Sequence, residues 1–317
     1  MTEQPRRWSA MQARERFRRR TKDDAADASE RRPLALAPLE VHGAFQHDGF
    51  RLEYTEYGDS ATSAGTVLLT HGILLSRRMH RPLARRLARE GFHVVTLDLL
   101  GHGGSDRPTE SWRYSLTAFA EQVVGLLDHL DVEQAVVGGT SLGANVSLET
   151  AVLAPDRVHG LLVEMPVLDN AIFAGLLAFP PLLFAARFAP VTVNTVKAAA
   201  KRVPRGYIWV DVVADVLQQE PAAMAALLHG LLFGRIAPPR SIRQRIDIPA
   251  LVIGHARDPI HPFGDADALA RDMPAATFVQ ARSPVELRFD PQRLTSEIVS
   301  FLRERYAGVG ESSAPAS

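Results

Sequence analysis

The sequence contains no cysteine in its 317 residues. This absence excludes disulfide bonds, thiolate nucleophiles and cysteine-based metal sites, although it leaves the cellular compartment undecided. The remaining metal-ligating residue types, His, Asp and Glu, show no clustered spacing typical of a metal site. We therefore expect neither a metal ion nor any other cofactor.

An excess of charge is lacking as well, because 36 Lys and Arg residues balance 36 Asp and Glu residues. No global field would draw this chain to nucleic acid or to an anionic membrane. The most apolar run, residues 171–190, is interrupted by Pro180, Pro181 and Arg187. Stable membrane insertion is thus not expected, and a cytoplasmic location is the default.

The composition favours one large domain with an insertion, since 46% hydrophobic residues suffice for a sizeable core. We predict a disordered basic leader over residues 1–38 and a disordered tail over 307–317. The core would comprise residues 39–166 and 246–306. Residues 167–245, rich in Ala, Leu, Phe and Pro and without a clear strand, would form an inserted helical cap.

Buried strands alternate with amphipathic helices through most of the core, which predicts an α/β fold with a parallel sheet covered on both faces. Two N-terminal segments around Asp48-Gly49 predict an antiparallel hairpin at the sheet edge. The predicted strands are 41–47, 50–57, 66–70, 93–97, 135–139, 158–163, 250–254 and 277–280, and the predicted core helices are 78–90, 116–130, 142–153 and 291–306.

Residues 139–143, Gly-Thr-Ser-Leu-Gly, lie between a buried strand and a helix. A G-x-S-x-G sequence at a sharp strand-to-helix turn is typical of a nucleophile elbow, in which the flanking glycines relieve crowding. Ser141 would stand exposed above the sheet, close to the free N–H groups of a helix N-terminus. The alternative is a serine that merely caps the helix.

With three further motifs, the chain resembles the α/β-hydrolase family from about residue 41 to 306. These motifs are TVLLTHG at 66–72, LDLLGHGGSDRP at 97–108 and GHARDPIHP at 254–262. The resemblance implies an eight-stranded, mostly parallel sheet flanked by helices, with a helical cap inserted after the sixth strand. The eighty-residue gap between predicted strands falls at that point.

The resemblance also implies roles for single residues. Ser141 matches the nucleophile and Asp258 the acid of a catalytic triad, although an aspartate at this position could also simply cap a helix. The backbone N–H groups of Ile73 and Leu142 would form the oxyanion hole. Four further residues are expected to line the pocket or to support the site from behind: His71, Gly72, His80 and Glu164.

The histidine that the family places after its last strand is missing, since no histidine follows His261. A serine hydroxyl needs a base, whose contribution is about 10²- to 10⁴-fold in rate. A carboxylate, Glu286 or Glu164, could replace the imidazole if burial raised its pKa. A relocated imidazole, His261 or His80, is the second solution. The third is that the serine is not activated at all.

Two functions remain open from the sequence. The first is a serine hydrolase with an incomplete triad that cleaves a hydrophobic ester, lactone or thioester, as the apolar cap suggests. The second is a non-hydrolytic enzyme, such as a cyclase or lyase, or a ligand-binding pseudoenzyme, because a fold does not fix a function. Either would take a small hydrophobic partner. The oligomeric state is left undetermined.

Overall fold

The computed structural model describes residues 39–168, 220–256, 258, 261, 263–283 and 285–307. All of them lie within one compact unit, Leu39–Ser317. The predicted leader, the predicted tail beyond residue 307 and residues 169–219 of the predicted cap lie outside the described residues. The assignments made for those segments therefore stay predictions.

Eight strands form one mixed sheet in the order β1-β2-β4-β3-β5-β6-β7-β8. The pairings β1·β2 and β2·β4 are antiparallel, and the other five are parallel. The strands are β1 Glu40–His47, β2 Phe50–Tyr57, β3 Thr66–Thr70, β4 His93–Leu97, β5 Ala135–Thr140, β6 Val158–Glu164, β7 Ala250–His255 and β8 Ala276–Ala281.

The described helices lie between and after these strands. They are α1 Arg81–Arg89, α2 Leu116–His129, α3 Leu142–Leu153, α4 Pro221–Phe233, α5 Arg240–Arg243, α6 Phe263–Asp272, α7 Glu286–Phe289 and α8 Gln292–Tyr306, with short 3-10 turns at Arg77–His80, Ser111–Arg113 and Pro155–Arg157. None of the helices in this described part of the chain is long and apolar enough to cross a membrane. The cytoplasmic location stays a prediction.

The central strands are apolar on both faces because helices cover both. Every residue of β3, β4 and β5 is buried. One hydrophobic cluster packs α2 and α3 against one face, and a second packs α1 and α8 against the other. Parallel strands of this kind bury near-continuous Val, Leu and Ile runs, which explains why their positions were evident in the sequence.

The last helix closes the sheet through a single side chain. The Tyr306 hydroxyl donates to the Thr66 carbonyl oxygen of β3 at 2.5 Å and accepts the Val136 N–H of β5 at 3.0 Å. Burial raises the pKa of Tyr306 to about 12, so the phenol stays protonated and keeps its donor. Two neighbouring strands are thus joined to the C-terminal end of the described chain.

The predicted α/β architecture is confirmed, and the predicted strands differ from the observed ones by one residue at most. The sheet is mixed, because β1 and β2 run antiparallel at one edge. The helix predicted over 78–90 begins instead with a 3-10 turn, since Pro82 at its start lacks an N–H and favours the first turn of an α-helix. Within the predicted cap, α4 was not predicted individually.

Candidate active site

Ser141 occupies a strained turn between β5 and α3. Its backbone lies at φ 57° and ψ −111°, in a region that non-glycine residues rarely adopt. Gly139 and Gly143 permit the turn, because a Cβ atom at either position would overlap the Thr70 carbonyl of β3. The sequence of the elbow is therefore required by close packing against the neighbouring strand as much as by the turn itself.

An imidazole contacts the serine hydroxyl. His261 Nε2 lies 2.8 Å from Ser141 Oγ, and His261 Nδ1 lies 3.0 Å from Asp258 Oδ2. Because an ionised carboxylate only accepts, Nδ1 carries the hydrogen and Nε2 is left to accept the serine proton. The three side chains form a continuous Ser-His-Asp arrangement.

Asp258 also fixes the loop on which His261 is carried. Its second oxygen, Oδ1, accepts the His261 backbone N–H at 3.0 Å. The carboxylate is nearly buried and the imidazole is 16% exposed, so the pair is shielded while the ring still reaches the surface. One short segment between β7 and α6 thereby supplies both an acid and a base.

The expected incomplete triad is not what the structure contains. Of the four proposed bases, only His261 contacts Ser141; the signal in the sequence was a histidine three residues beyond Asp258 in the DPIHP motif. Spacing alone did not reveal the contact, because residues 141 and 261 are 120 positions apart. The segment after β8, where the family has its histidine, contributes no imidazole.

Glu286 is held by residues other than Ser141. Its buried carboxylate accepts the Nε–H of Arg293 at 2.9 Å and also pairs with the Arg282 backbone N–H. The hydrogen bonds of its carboxylate go to residues other than Ser141, and the assignment of Glu286 as a possible base stays a prediction.

Glu164 is a poor base. Burial alone would raise the pKa of Glu164, but the adjacent Arg288 and His255 outweigh it and hold the pKa well below its ordinary value. The Thr140 hydroxyl donates to the same carboxylate at 2.5 Å. Glu164 contacts Thr140 and the Ser141 N–H at the elbow, but its carboxylate is not hydrogen-bonded to Ser141 Oγ.

His80 and His71 are buried and neutral. Burial, assisted by the charge of Arg288, lowers the pKa of His80 to about 4, and its Nε2–H donates to the Thr70 carbonyl at 2.9 Å. Burial also lowers the pKa of His71, whose Nδ1–H donates to the Gly72 carbonyl at 2.9 Å. Both rings hold backbone in the turns around the site, and neither is hydrogen-bonded to Ser141.

Leu142 and Ile73, the residues whose N–H groups are predicted to form an oxyanion hole, lie in two turns at the ends of β5 and β3. Leu142 is the first residue of α3, so its N–H has no acceptor within the helix. Ile73 follows the Gly72 turn, and the next residue, Leu74, is held at φ 62°. The Gly72 N–H contacts Met79 Sδ at 3.4 Å, which fixes this turn beside the elbow.

Two charged residues near the elbow were not predicted from the sequence. His255 at the end of β7 and Arg288 on α7 both bond the Glu164 carboxylate. Burial alone would lower the pKa of His255, but the hydrogen bond and the charge of Glu164 prevail and raise it. Neither residue belongs to a recognisable motif, so only their positions in space reveal them.

Comparison with proteins of known structure shows the same architecture. An enol-lactonase from Burkholderia xenovorans superposes with a TM-score of 0.68 at 22% identity, covering 82% of this chain and 99% of that one. A thermophilic esterase from Thermogutta terrifontis gives a TM-score of 0.65 at 23% identity, over 86% of this chain and 100% of its own. The chain has the α/β-hydrolase fold.

Sequence comparison supports the same assignment over part of the chain. A family model described as alpha/beta hydrolase fold matches residues 65–198 of this chain. Epoxide hydrolase A from Mycobacterium tuberculosis is 34% identical over 125 residues, which is 39% of this chain and 38% of that relative. The matched region carries the elbow and the oxyanion turn.

Proposed function

We propose that this protein is a serine hydrolase of the α/β-hydrolase family, with Ser141 as nucleophile, His261 as general base and Asp258 as the acid that orients the base. The observation that carries the proposal is the 2.8 Å separation between His261 Nε2 and Ser141 Oγ. That distance lies within the range required for proton transfer between a nucleophile and its base.

In the acylation step, Ser141 Oγ attacks the carbonyl carbon while its proton passes to His261 Nε2. Asp258 keeps the proton of Nδ1 in place and stabilises the imidazolium that forms. The carbonyl oxygen becomes an oxyanion, which the N–H groups of Ile73 and Leu142 would bind. The imidazolium then protonates the leaving group, and the acyl-enzyme remains.

Deacylation repeats these steps with water as the nucleophile. His261 takes a proton from water, the hydroxide attacks the acyl carbon, and Ser141 leaves with the proton from His261. The same three side chains serve both halves of the reaction, so no metal ion or cofactor is invoked.

The proposed substrate class is a hydrophobic ester, lactone or thioester. Support comes from the predicted cap, residues 167–245, whose described helix α4 has the sequence PAAMAALLHGLLF and buries seven of its residues. An apolar cap over the site would favour lipophilic acyl groups. We expect medium-chain esters to have higher kcat/KM values than acetate esters.

The nucleophile is tested by covalent labelling of the intact protein with a fluorophosphonate probe. The wild type should be labelled, Ser141→Ala should not be, and His261→Ala should be labelled about 10²- to 10⁴-fold more slowly because the hydroxyl loses its base. Glu286→Gln serves as the matched control and should be labelled at the wild-type rate. A folded wild-type protein that resists the probe between pH 5 and 9 would refute hydrolysis and favour a binding role.

A further inference from the structure

A buried charged cluster lies directly behind the elbow, where four segments of the chain meet. It comprises Thr140, Glu164 and His255, which end β5, β6 and β7, together with Arg288 on α7. The side chains of Glu164, His255 and Arg288 are 4%, 0% and 12% exposed. Active sites of parallel sheets form at the carboxyl ends of the strands, and this cluster occupies that edge.

Arg288 connects the other members of the cluster. Its Nη2 donates to Glu164 Oε2 at 2.5 Å and to the Thr140 hydroxyl at 2.9 Å, and its Nη1 donates to Glu164 Oε1 at 3.1 Å. A guanidinium can bridge both carboxylate oxygens and a third acceptor, which an ammonium group cannot do in one plane.

The hydrogen bonds of His255 define its charge. Its Nδ1 lies 2.8 Å from the Ser283 carbonyl oxygen, which can only accept, and its Nε2 lies 3.2 Å from Glu164 Oε1. With both nitrogens donating, the ring is an imidazolium. The cluster thus contains one buried anion between two cations, and the neutral His80 adds no charge to it.

The cluster contacts the strained residue and the residue before it. The Glu164 carboxylate accepts from the hydroxyl of Thr140, and the Glu164 carbonyl accepts the Ser141 N–H at 2.9 Å. A backbone conformation of this kind costs about 1–3 kcal/mol and persists only where its surroundings fix it. Glu164 contributes to fixing it here, together with the Asn145 N–H, which donates to the Ser141 carbonyl at 3.1 Å.

We propose that Arg288 is a positioning residue for the nucleophile: it holds Glu164 and Thr140 so that Ser141 Oγ remains aligned with His261. Arg288 does this from the segment after β8, the segment from which the family would supply its histidine. The inference rests on the proposed function, since it concerns the same serine. His255 also holds Glu164, and it can donate to Glu164 and to the Ser283 carbonyl at the same time only while its ring is protonated.

The test compares Arg288→Met and Arg288→Lys with Arg293→Met in the full-length protein. Arg293 pairs with Glu286 and does not contact Glu164 or Thr140, so it controls for the loss of a neighbouring ion pair. The readouts are the rate of fluorophosphonate labelling, kcat and KM for p-nitrophenyl octanoate, and the melting temperature.

Arg288→Met should lower kcat and the labelling rate by about 10- to 100-fold with KM changed less than about threefold, because the reacting atoms are displaced while binding is retained. Arg288→Lys should recover part of kcat, and Arg293→Met should keep it. Equal labelling of Arg288→Met and wild type, or equal losses in both methionine variants, would overturn the inference. An unlabelled wild type would instead overturn the proposed function.

A pH profile separates positioning from general stability. Wild-type kcat should fall at alkaline pH as His255 loses its second proton, with Glu164 and Arg288 as the charged groups that face it. In His255→Gln, which cannot titrate, the alkaline fall should be absent and kcat uniformly reduced. If Arg288→Met does not fold, Arg288→Lys and this profile carry the test, and an alkaline fall that persists in His255→Gln refutes it.

Discussion

At the scale of single residues, the decisive feature is that Asp258 uses its two oxygens for different purposes. Oδ2 accepts the Nδ1–H of the His261 ring, and Oδ1 accepts the His261 backbone N–H. The carboxylate therefore sets the tautomer of the ring and the position of the His261 backbone N–H together. Replacing it affects orientation as well as charge.

Asp258→Asn should lower kcat by roughly 10²- to 10⁴-fold, because an amide that donates to the ring would favour the wrong tautomer. KM for the same ester should change little, since Asp258 does not bind substrate. Steady-state kinetics at pH 8 provide the measurement. Asp267→Asn, whose side chain on α6 is 37% exposed and pairs with Arg271, is the control; a comparable loss there would contradict the assignment.

At the scale of elements, the nucleophile helix α3 also holds the inserted segment. Asn145, one turn after Ser141, donates to the carbonyls of Val167 and Ile236 at 2.7 and 2.5 Å and accepts the Val167 N–H at 3.1 Å. Arg235 pairs with Glu149 on the next turn of the same helix. Val167 and Ile236 lie in the two stems of the predicted cap, so both stems are attached to the helix that follows Ser141.

Asn145→Ala should lower the free energy of unfolding by about 1–3 kcal/mol, because backbone groups of both stems lose their partner. Thermal unfolding monitored by circular dichroism measures the change. Ser296→Ala removes only an exposed hydrogen bond within α8 and should leave the melting temperature nearly unchanged. Similar shifts in the two variants would show that Asn145 does not fasten the stems.

The elements were predictable from the sequence to the extent that local pattern determines them. Runs such as Val67–Leu69 are buried on both faces and cannot be mistaken for loops, and the elbow combines a motif with its strand and helix. The contact of His261 with Ser141 was offered only as one of several alternatives. It depends on how the segment after β7 folds back, and hydrophobic periodicity carries no information on that path.

The helix α7 is a second case in which the sequence did not reveal which residues lie at the elbow. Its four residues include Glu286, which the sequence suggested as a base, and Arg288, which the sequence did not single out. The carboxylate of Glu286 binds Arg282 and Arg293, which lie four and seven positions away. The carboxylate of Glu164 binds Thr140, His255 and Arg288, which lie 24, 91 and 124 positions away. Which glutamate supports the elbow was therefore decided by long-range packing.

At the scale of the whole molecule, buried titratable groups should make stability strongly dependent on pH. Burial lowers the pKa values of His71, His80 and His102. These groups take up protons more readily when unfolded, so their contribution is complete above the ordinary histidine value and is lost as the pH falls. The pKa of Glu164 is also lowered, so its contribution to stability is lost as the pH falls below the ordinary glutamate value. The pKa of His255 is raised, so its contribution to stability is complete below the ordinary histidine value and is lost as the pH rises through the raised pKa.

The free energy of unfolding should therefore be greatest near the ordinary histidine value of about 6.5 and should fall more steeply on the acid side. His80 alone, with its pKa lowered to about 4, corresponds to roughly 3 kcal/mol of acid sensitivity. Urea unfolding between pH 4 and 9 measures the profile. In His80→Asn the acid slope should be shallower; an unchanged slope would be inconsistent with a neutral buried ring.

The hydroxyl of Tyr306 joins β3 and β5 across 240 and 170 positions of sequence. During synthesis, these strands emerge from the ribosome long before the tyrosine that links them. Contacts of such separation form late and expose apolar edges in the interval. The nascent chain thus carries a finished elbow sequence on an unfinished sheet, and the amino ends of β3 and β5 can be joined by this side chain only after translation has passed residue 306.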